Sequence, residues 1–230
     1  MIKLENTEFF GFEAAIRGMR NPMNSWDKSD TEFLSHTRYF DMGKNDLKLM
    51  KSLVKAGSDH SKFMRMINVT VDITAPLYWW KEYDTYKIGT VANSCSTMHK
   101  ITDKEFSIDD FSRDHLFYED DVPYAWDTIT IGVLQKIVDI LNEFRLKYLK
   151  LKNKPTKSDY DNKLMKKYWW QIIQLLPSSY NQRRTVQVNY AVLRNMYHGR
   201  KNHKLDEWSV DFCNWIKSLP YSELITMEEK

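Results

Sequence analysis

The sequence predicts a single domain, spanning residues 1–230, that mixes strand with helix, and three observations lead to this. Residues Met66 to Thr74 alternate strictly, with Ile67, Val69, Val71 and Ile73 on one face and Asn68, Thr70, Asp72 and Thr74 on the other; that period of two is the mark of a half-buried strand. Farther along, Trp126, Ile129, Val133, Ile137, Ile140, Leu141, Phe144 and Tyr148 recur at steps of three and four, the spacing of a core helix. The length of 230 residues, 42% of them hydrophobic, is ample for one core.

The remaining elements follow in chain order. Phe9 to Ile16 is an apolar patch, followed by Arg17 to Asp30, which reads as a surface loop containing Asn-Pro and two arginines. Asn45 to Ala56 reads as a helix through Leu47, Met50, Leu53 and Val54, stopped by Gly57. After the alternating strand, Pro76 suits a first helical turn, where its missing N–H costs nothing, so a helix is expected over Leu77–Lys87. Ser107 with Asp110 resembles a capping box, and Tyr118 to Val122 reads as an acidic solvated turn before Pro123. Ser158, with Asp159 and Asp161, starts a helix whose apolar face is Leu164, Met165, Tyr168, Trp169, Ile172, Ile173 and Leu176, ended by Pro177. Thr185 to Asn189 has strand character, and Asn189 can cap a short helix ending at Gly199.

Composition narrows the function classes less than the motifs do. A net charge of +3 argues neither for nor against nucleic acid. The one basic stretch, Arg145 to Lys157 with one Arg and five Lys, reads as a solvated helix end. Beyond Pro155 no aromatic position interleaves with its lysines, as a single-strand binder would want; nucleic acid is not the expected partner. Two cysteines, Cys95 and Cys213, are too few for a disulfide framework. Neither an apolar run of membrane-spanning length nor a leader is expected, so the expectation is a soluble cytoplasmic protein that does not engage membranes. His198 and His203, five apart, fit no standard zinc pattern, and no metal is expected. No P-loop, GxGxxG, GxSxG or CxxC occurs.

The chemistry gathers in two stretches. The first, Thr85 to Lys100 (TYKIGTVANSCSTMHK), is dense in hydroxyls and amides: Thr85, Tyr86, Thr90, Asn93, Ser94, Ser96 and Thr97. A packed core has little use for such groups, because each buried one without a partner costs about 1–3 kcal/mol; an oxygen-rich ligand would use them. The pattern resembles the motif RHRxxSxNxxSxRY of the flavin-dependent thymidylate synthases (ThyX). TYK stands where the family has RHR, Thr90 for the first Ser, Asn93 for the Asn after one inserted residue, Ser96 for the second Ser, and Met98-His99 for RY. Upstream, Gly57, His60 and Phe63 match a Gly-x-x-His-x-x-Phe stretch of the family, with Met64-Arg65 where the family has a second His.

The second stretch, from Leu176, reads LPSSYNQRRTVQVNYAVLRNMYHGRKNHKLDEW. The family has Leu-Pro, an Arg six residues after the Pro, then an Asn, a second Asn and an Arg at steps of six, six and five. Pro177, Arg183, Asn189, Asn195 and Arg200 match this without a gap.

The resemblance covers roughly residues 10 to 225 and implies an α+β domain with a twisted, largely antiparallel sheet beside a helical portion. It implies a homotetramer with sites between subunits. The implied reaction is reductive methylation of dUMP to dTMP with FAD, using methylenetetrahydrofolate and NADPH. By the same resemblance Arg200 is the catalytic residue against the pyrimidine; Arg183, Ser96 and Glu82 lie with it at the nucleotide; and Thr85, Tyr86, Lys87, Thr90, Asn93, Asn189 and Asn195 address the cofactor. Glu82 stands where the family has Gln. Three readings stay open: a divergent synthase, an enzyme of another pyrimidine nucleotide or one-carbon unit, and a nucleotide-binding protein that has lost the flavin and the synthase activity.

Overall fold

A four-stranded sheet of order β1-β4-β6-β5 carries the fold, formed by β1 (Lys3–Phe10), β4 (Asn68–Pro76), β5 (Thr90–Ser94) and β6 (Asn181–Asn189). A two-residue antiparallel pair, β2 (Glu32–Phe33) with β3 (Phe40–Asp41), stands apart from it. The computed structural model describes residues 1–34, 40–121, 124 and 128–228. Trp126, expected in the long helix, and Val122 and Pro123 at the end of the acidic turn lie outside the described residues.

The chain divides into two compact units, one of Met1–Ile73, Glu82–Asn93 and Arg184–Lys230, the other of Thr74–Lys81 and Ser94–Arg183. In the first unit the alternation of β4 comes out as expected: Ile67, Val69, Val71 and Ile73 are buried and the polar residues between them half-buried. The apolar patch at Phe9–Ile16 is split into the end of β1 and the start of α1 (Phe12–Arg20). Gly11 makes that join at φ +96°, and a Cβ there would lie 2.1 Å from the Met66 carbonyl oxygen, so no other residue fits.

The expected loop at Arg17–Asp30 is corrected in its first part. Helix α1 runs on through Arg20, which is only 3% exposed. Its guanidinium donates to Asp46 Oδ1 at 2.7 Å and to the carbonyls of Ser25 and Lys28. Asp46 sits in α2 (Lys44–Lys55) and accepts in addition from Ser29 and Thr31. Burial alone would push the Asp46 carboxyl up. Hydrogen bonds from Thr31, Ser29 and Arg20 outweigh it and hold the group below the ordinary carboxylate value.

The helix expected over Leu77–Lys87 is shorter: α3 covers Leu77–Tyr83, and Pro76 is the last residue of β4. Both the Thr85 N–H and its hydroxyl bond the Glu82 carbonyl, which closes the helix with a turn. After β6 comes α6 (Tyr190–Arg200), then a π-helical segment at Glu207–Phe212, α7 (Cys213–Ser218) and α8 (Glu223–Thr226).

In the second unit α4 (Thr130–Lys152) and α5 (Asp159–Leu175) are the long helices. Leu134, Val138 and Leu141 of α4 and Ile172 of α5 share a core with Ile101, Phe106 and Phe111. Ser158 and Asp161 form the capping box at the start of α5, and Ser107 and Asp110 form one around a single 3-10 turn. No helix among the described residues is long and apolar enough to cross a membrane.

Candidate functional site

Helix α6 organises the site of the first unit. Asn189 stays extended at φ −98°, ψ 164°, and its Oδ1 accepts the Val192 N–H at 3.0 Å, so it is the cap that the sequence suggests. Capping occupies only one end of the amide. The Nδ2 end faces Gly89, where a Cβ would lie 2.7 Å from it. Gly89 sits at φ +76° and the absent side chain lets the loop before β5 approach α6.

An open cleft of about 490 Å³ lies at this place. Ser58, Ser61, Arg65, Gly89, Asn189 and Asn195 are among its lining residues. Arg65 is exposed, and its guanidinium has no ion pair or hydrogen bond among the described residues. It adds a positive charge to a wall that also holds Arg194 and is otherwise made of amides, hydroxyls and apolar groups.

The last turn of α6 carries Arg200 into a second cluster. Its Nη2 lies 2.8 Å from Glu82 Oε2 and its Nε donates to the Tyr86 hydroxyl at 3.0 Å. The guanidinium carbon is 5.5 Å from the centre of the Tyr86 ring and 5.3 Å from that of Trp208, both within cation–π range. Trp208 is fully buried and comes from the π-helical segment, a winding that is rare and frequent at functional sites. Arg200 is thereby fixed in orientation while its side chain keeps 17% exposure.

The predicted residues therefore sort into groups. Asn189 and Asn195 come together on the cleft, and Arg200, Glu82 and Tyr86 in the cluster at the end of the same helix. Lys87 and Asn93 are exposed, with no side-chain partner among the described residues. Thr85 and Thr90 are satisfied by their own turn: their hydroxyls donate to the carbonyls of Glu82 and Tyr86. Ser96 and Arg183 belong to the second unit, where the neighbouring Cys95 N–H donates to the Arg183 carbonyl at 3.0 Å and Ser96 Oγ accepts the His99 N–H. Sequence reading missed Gly89, Ser58, Ser61 and Trp208 and took no account of Arg65 as a cation. A lone Gly between two polar runs was the visible signal for the first.

His198 and His203 are engaged locally. His203 Nδ1 accepts the Leu205 N–H, and His198 Nδ1 lies 3.7 Å from Glu228. Arg194, buried on α6, donates to the carbonyls of Ile225 and Met227 and so holds the end of α8.

The structure thus belongs to the class in which helices accompany an antiparallel sheet. The sequence matches no protein-family profile and no curated protein. The structure is similar to that of thymidylate synthase X from Helicobacter pylori with FAD and dUMP, at a TM-score of 0.63 and 16% identity over 99% of this chain and 98% of that one. A second structure of the flavin-dependent enzyme from the same organism, also complexed with FAD and dUMP, agrees at 0.63 and 16% over 98% of each chain. The fold is the ThyX fold.

Proposed function

We propose that the protein is a flavin-dependent thymidylate synthase-like enzyme that binds a pyrimidine nucleotide and converts dUMP to dTMP by reductive methylation. The observation that carries this reading is the arrangement of α6. One helix begins with Asn189, sets Asn195 on the same cleft, and ends with an oriented Arg200, in a chain with the ThyX fold.

The residues present fit an FAD molecule. The Asn189 Nδ2 and the Asn195 amide offer hydrogen bonds to the polar edge of a ring system, Arg65 offers charge to a phosphate, and the missing Cβ of Gly89 leaves backbone within reach. Bound FAD would supply the hydride and relay the one-carbon unit of methylenetetrahydrofolate, with NADPH recharging it. Lys87 adds a cation from the loop. Arg200 is assigned to the pyrimidine ring, where a preorganised donor stabilises the negative charge that grows as the ring is reduced. Glu82 and Tyr86 hold that donor in place. Arg183 and Ser96 keep the nucleotide roles that the resemblance implies, and Thr85, Thr90 and Asn93 border the cofactor. A homotetramer with sites between subunits completes the proposal, and sedimentation velocity would read its mass.

A specific observation favours a second reading. Glu82 places a carboxylate on the guanidinium that the nucleotide would use, as suits a nucleotide-binding protein that no longer carries flavin or serves another pyrimidine. The visible absorption spectrum, taken before and after addition of FAD and removal of the excess, separates the two. Retained flavin whose oxidation responds to dUMP supports the synthase. A colourless protein that still binds dUMP supports the second reading. Arg200→Ala should abolish turnover while leaving the fold intact, and surviving turnover would overturn the site assignment.

A further inference from the structure

The positive charge of the chain is concentrated in the α4–α5 hairpin. Residues 130–175 hold ten Lys and Arg against four Asp and Glu, while the whole chain carries only +3. Part of this charge is engaged locally. Lys147 pairs with Glu143, Lys154 with Asp161, and Arg145 donates to the Thr102 carbonyl.

The outer face of α5 is different. Tyr160, Lys163, Leu164, Lys166, Lys167 and Trp170 line a groove of about 460 Å³. Leu164, expected on the core face, lies half-buried in this lining. None of the three lysines has an acidic partner among the described residues. Tyr160 is 72% exposed and Trp170 42%. The Trp170 ring packs edge-on against Trp169 at 5.0 Å and 73°, which fixes its orientation, and the Trp169 Nε1–H reaches the Met98 carbonyl at 3.4 Å. Ten residues separate the two aromatic groups, about 15 Å along a helix, with the lysines between them.

We infer that this groove binds single-stranded nucleic acid without sequence preference, the lysines meeting phosphates and Trp170 and Tyr160 stacking bases. Charge complementarity calls for a polyanion. The alternation of flat aromatic groups with lysines selects one whose units are themselves flat, since stacking platforms beside a cationic track are the common device for single strands. An acidic peptide would use the lysines and leave the rings idle. The linker before α5 offers lysines without stacking positions beyond Pro155, and the groove supplies those positions on the next helix. This inference is independent of the proposed synthase chemistry.

The test is fluorescence anisotropy of labelled oligo-dT and oligo-rU, titrated with the full chain at several salt concentrations. Binding is expected at roughly 1–100 μM, the range of sequence-independent contacts. Three phosphate contacts give a slope of about −2 in log K against log salt. Replacing Lys163, Lys166 and Lys167 together by Ala should remove most of that slope. Trp170→Ala should weaken binding about tenfold at unchanged slope, and Trp170→Tyr, which keeps a ring, should restore most of it. Thermal melts of each variant show whether it is folded. The proposal is overturned if no anisotropy change appears at 100 μM protein in about 50 mM salt, conditions that favour charge contacts. Binding by Trp170→Ala equal to that of the parent would overturn it too. So would polyglutamate competing as well as the oligonucleotide, which would mark an acidic polypeptide as the partner. A dimer seen in sedimentation and lost in Trp170→Ala would assign the groove to a second copy instead.

Discussion

Glu82→Gln tests the proposed nucleotide role of Arg200 directly. In the free protein the Arg200 Nη2 is bonded to Glu82 Oε2 at 2.8 Å. A nucleotide that recruits this guanidinium must break or share that bond. The carboxylate is 43% exposed, and ion pairs in such surroundings are worth about 0.2–1 kcal/mol. Glutamine keeps an oxygen at the same place but removes the charge, and neutral hydrogen bonds are about half as strong as charge-assisted ones. The competition should fall by at most about 1 kcal/mol, so dUMP should bind up to about fivefold more tightly. Isothermal titration with dUMP at low and high salt measures this, and the gain should shrink as salt screens the pair. An unchanged affinity would mean that Arg200 is not recruited by the nucleotide. A weaker one would mean that Glu82 itself accepts from it. Either result refutes the competition.

Other outcomes follow from the same geometry. Asp46→Asn leaves the Arg20 guanidinium buried without its counter-charge, a change that costs about 3–5 kcal/mol and should lower the melting temperature by about 10 °C in a chain of this size. The parent should lose stability in acid through the same group. Its native pKa is depressed, so the contribution is full above the unfolded value near 3.9 and disappears as pH falls through the native pKa. The variant should show a shallower acid limb in melts between about pH 5 and pH 2. Gly89→Ala forces a side chain into φ +76° and to 2.7 Å from Asn189 Nδ2. It should cost about 1–2 kcal/mol and weaken FAD uptake in the absorption assay more than it lowers the melting temperature.

What the sequence made legible was local. The period of β4 and the start of α5 at Ser158 are written in neighbouring residues, and both came out where expected. Strand β1 was not legible because six of its eight positions are exposed and the other two only half-buried, so no alternation shows; it lies at a sheet edge. Arg20 was not legible for another reason. Its partner Asp46 lies 26 residues away, and an Arg in a polar stretch looks the same whether it faces water or a buried carboxylate. Of the candidate site, the spacing of Asn189, Asn195 and Arg200 was visible, while Trp208 and Gly89 acquire meaning only through the three-dimensional path of the chain.

The hydroxyl-rich loop shows where counting polar groups overreaches. Thr85, Thr90 and Ser96 were expected to serve a ligand, yet the first two donate to carbonyls within four residues and the third accepts a nearby N–H. Threonine and serine readily satisfy the backbone of their own turn, so their density signals tight turns at least as strongly as it signals a ligand. Amides and cations behave otherwise, because an Asn can cap with its oxygen and still present its NH₂, and an Arg has donors to spare after one ion pair. Asn189 and Arg200 are in that position. In the proposed function the ligand-directed chemistry is therefore assigned to α6 and Arg65 rather than spread along the loop, and substitutions at Asn195 or Arg65 should disturb FAD uptake more than Thr85→Val or Thr90→Val. If the threonine variants had the larger effect on uptake at equal melting temperature, the loop would be the binding element and α6 its scaffold.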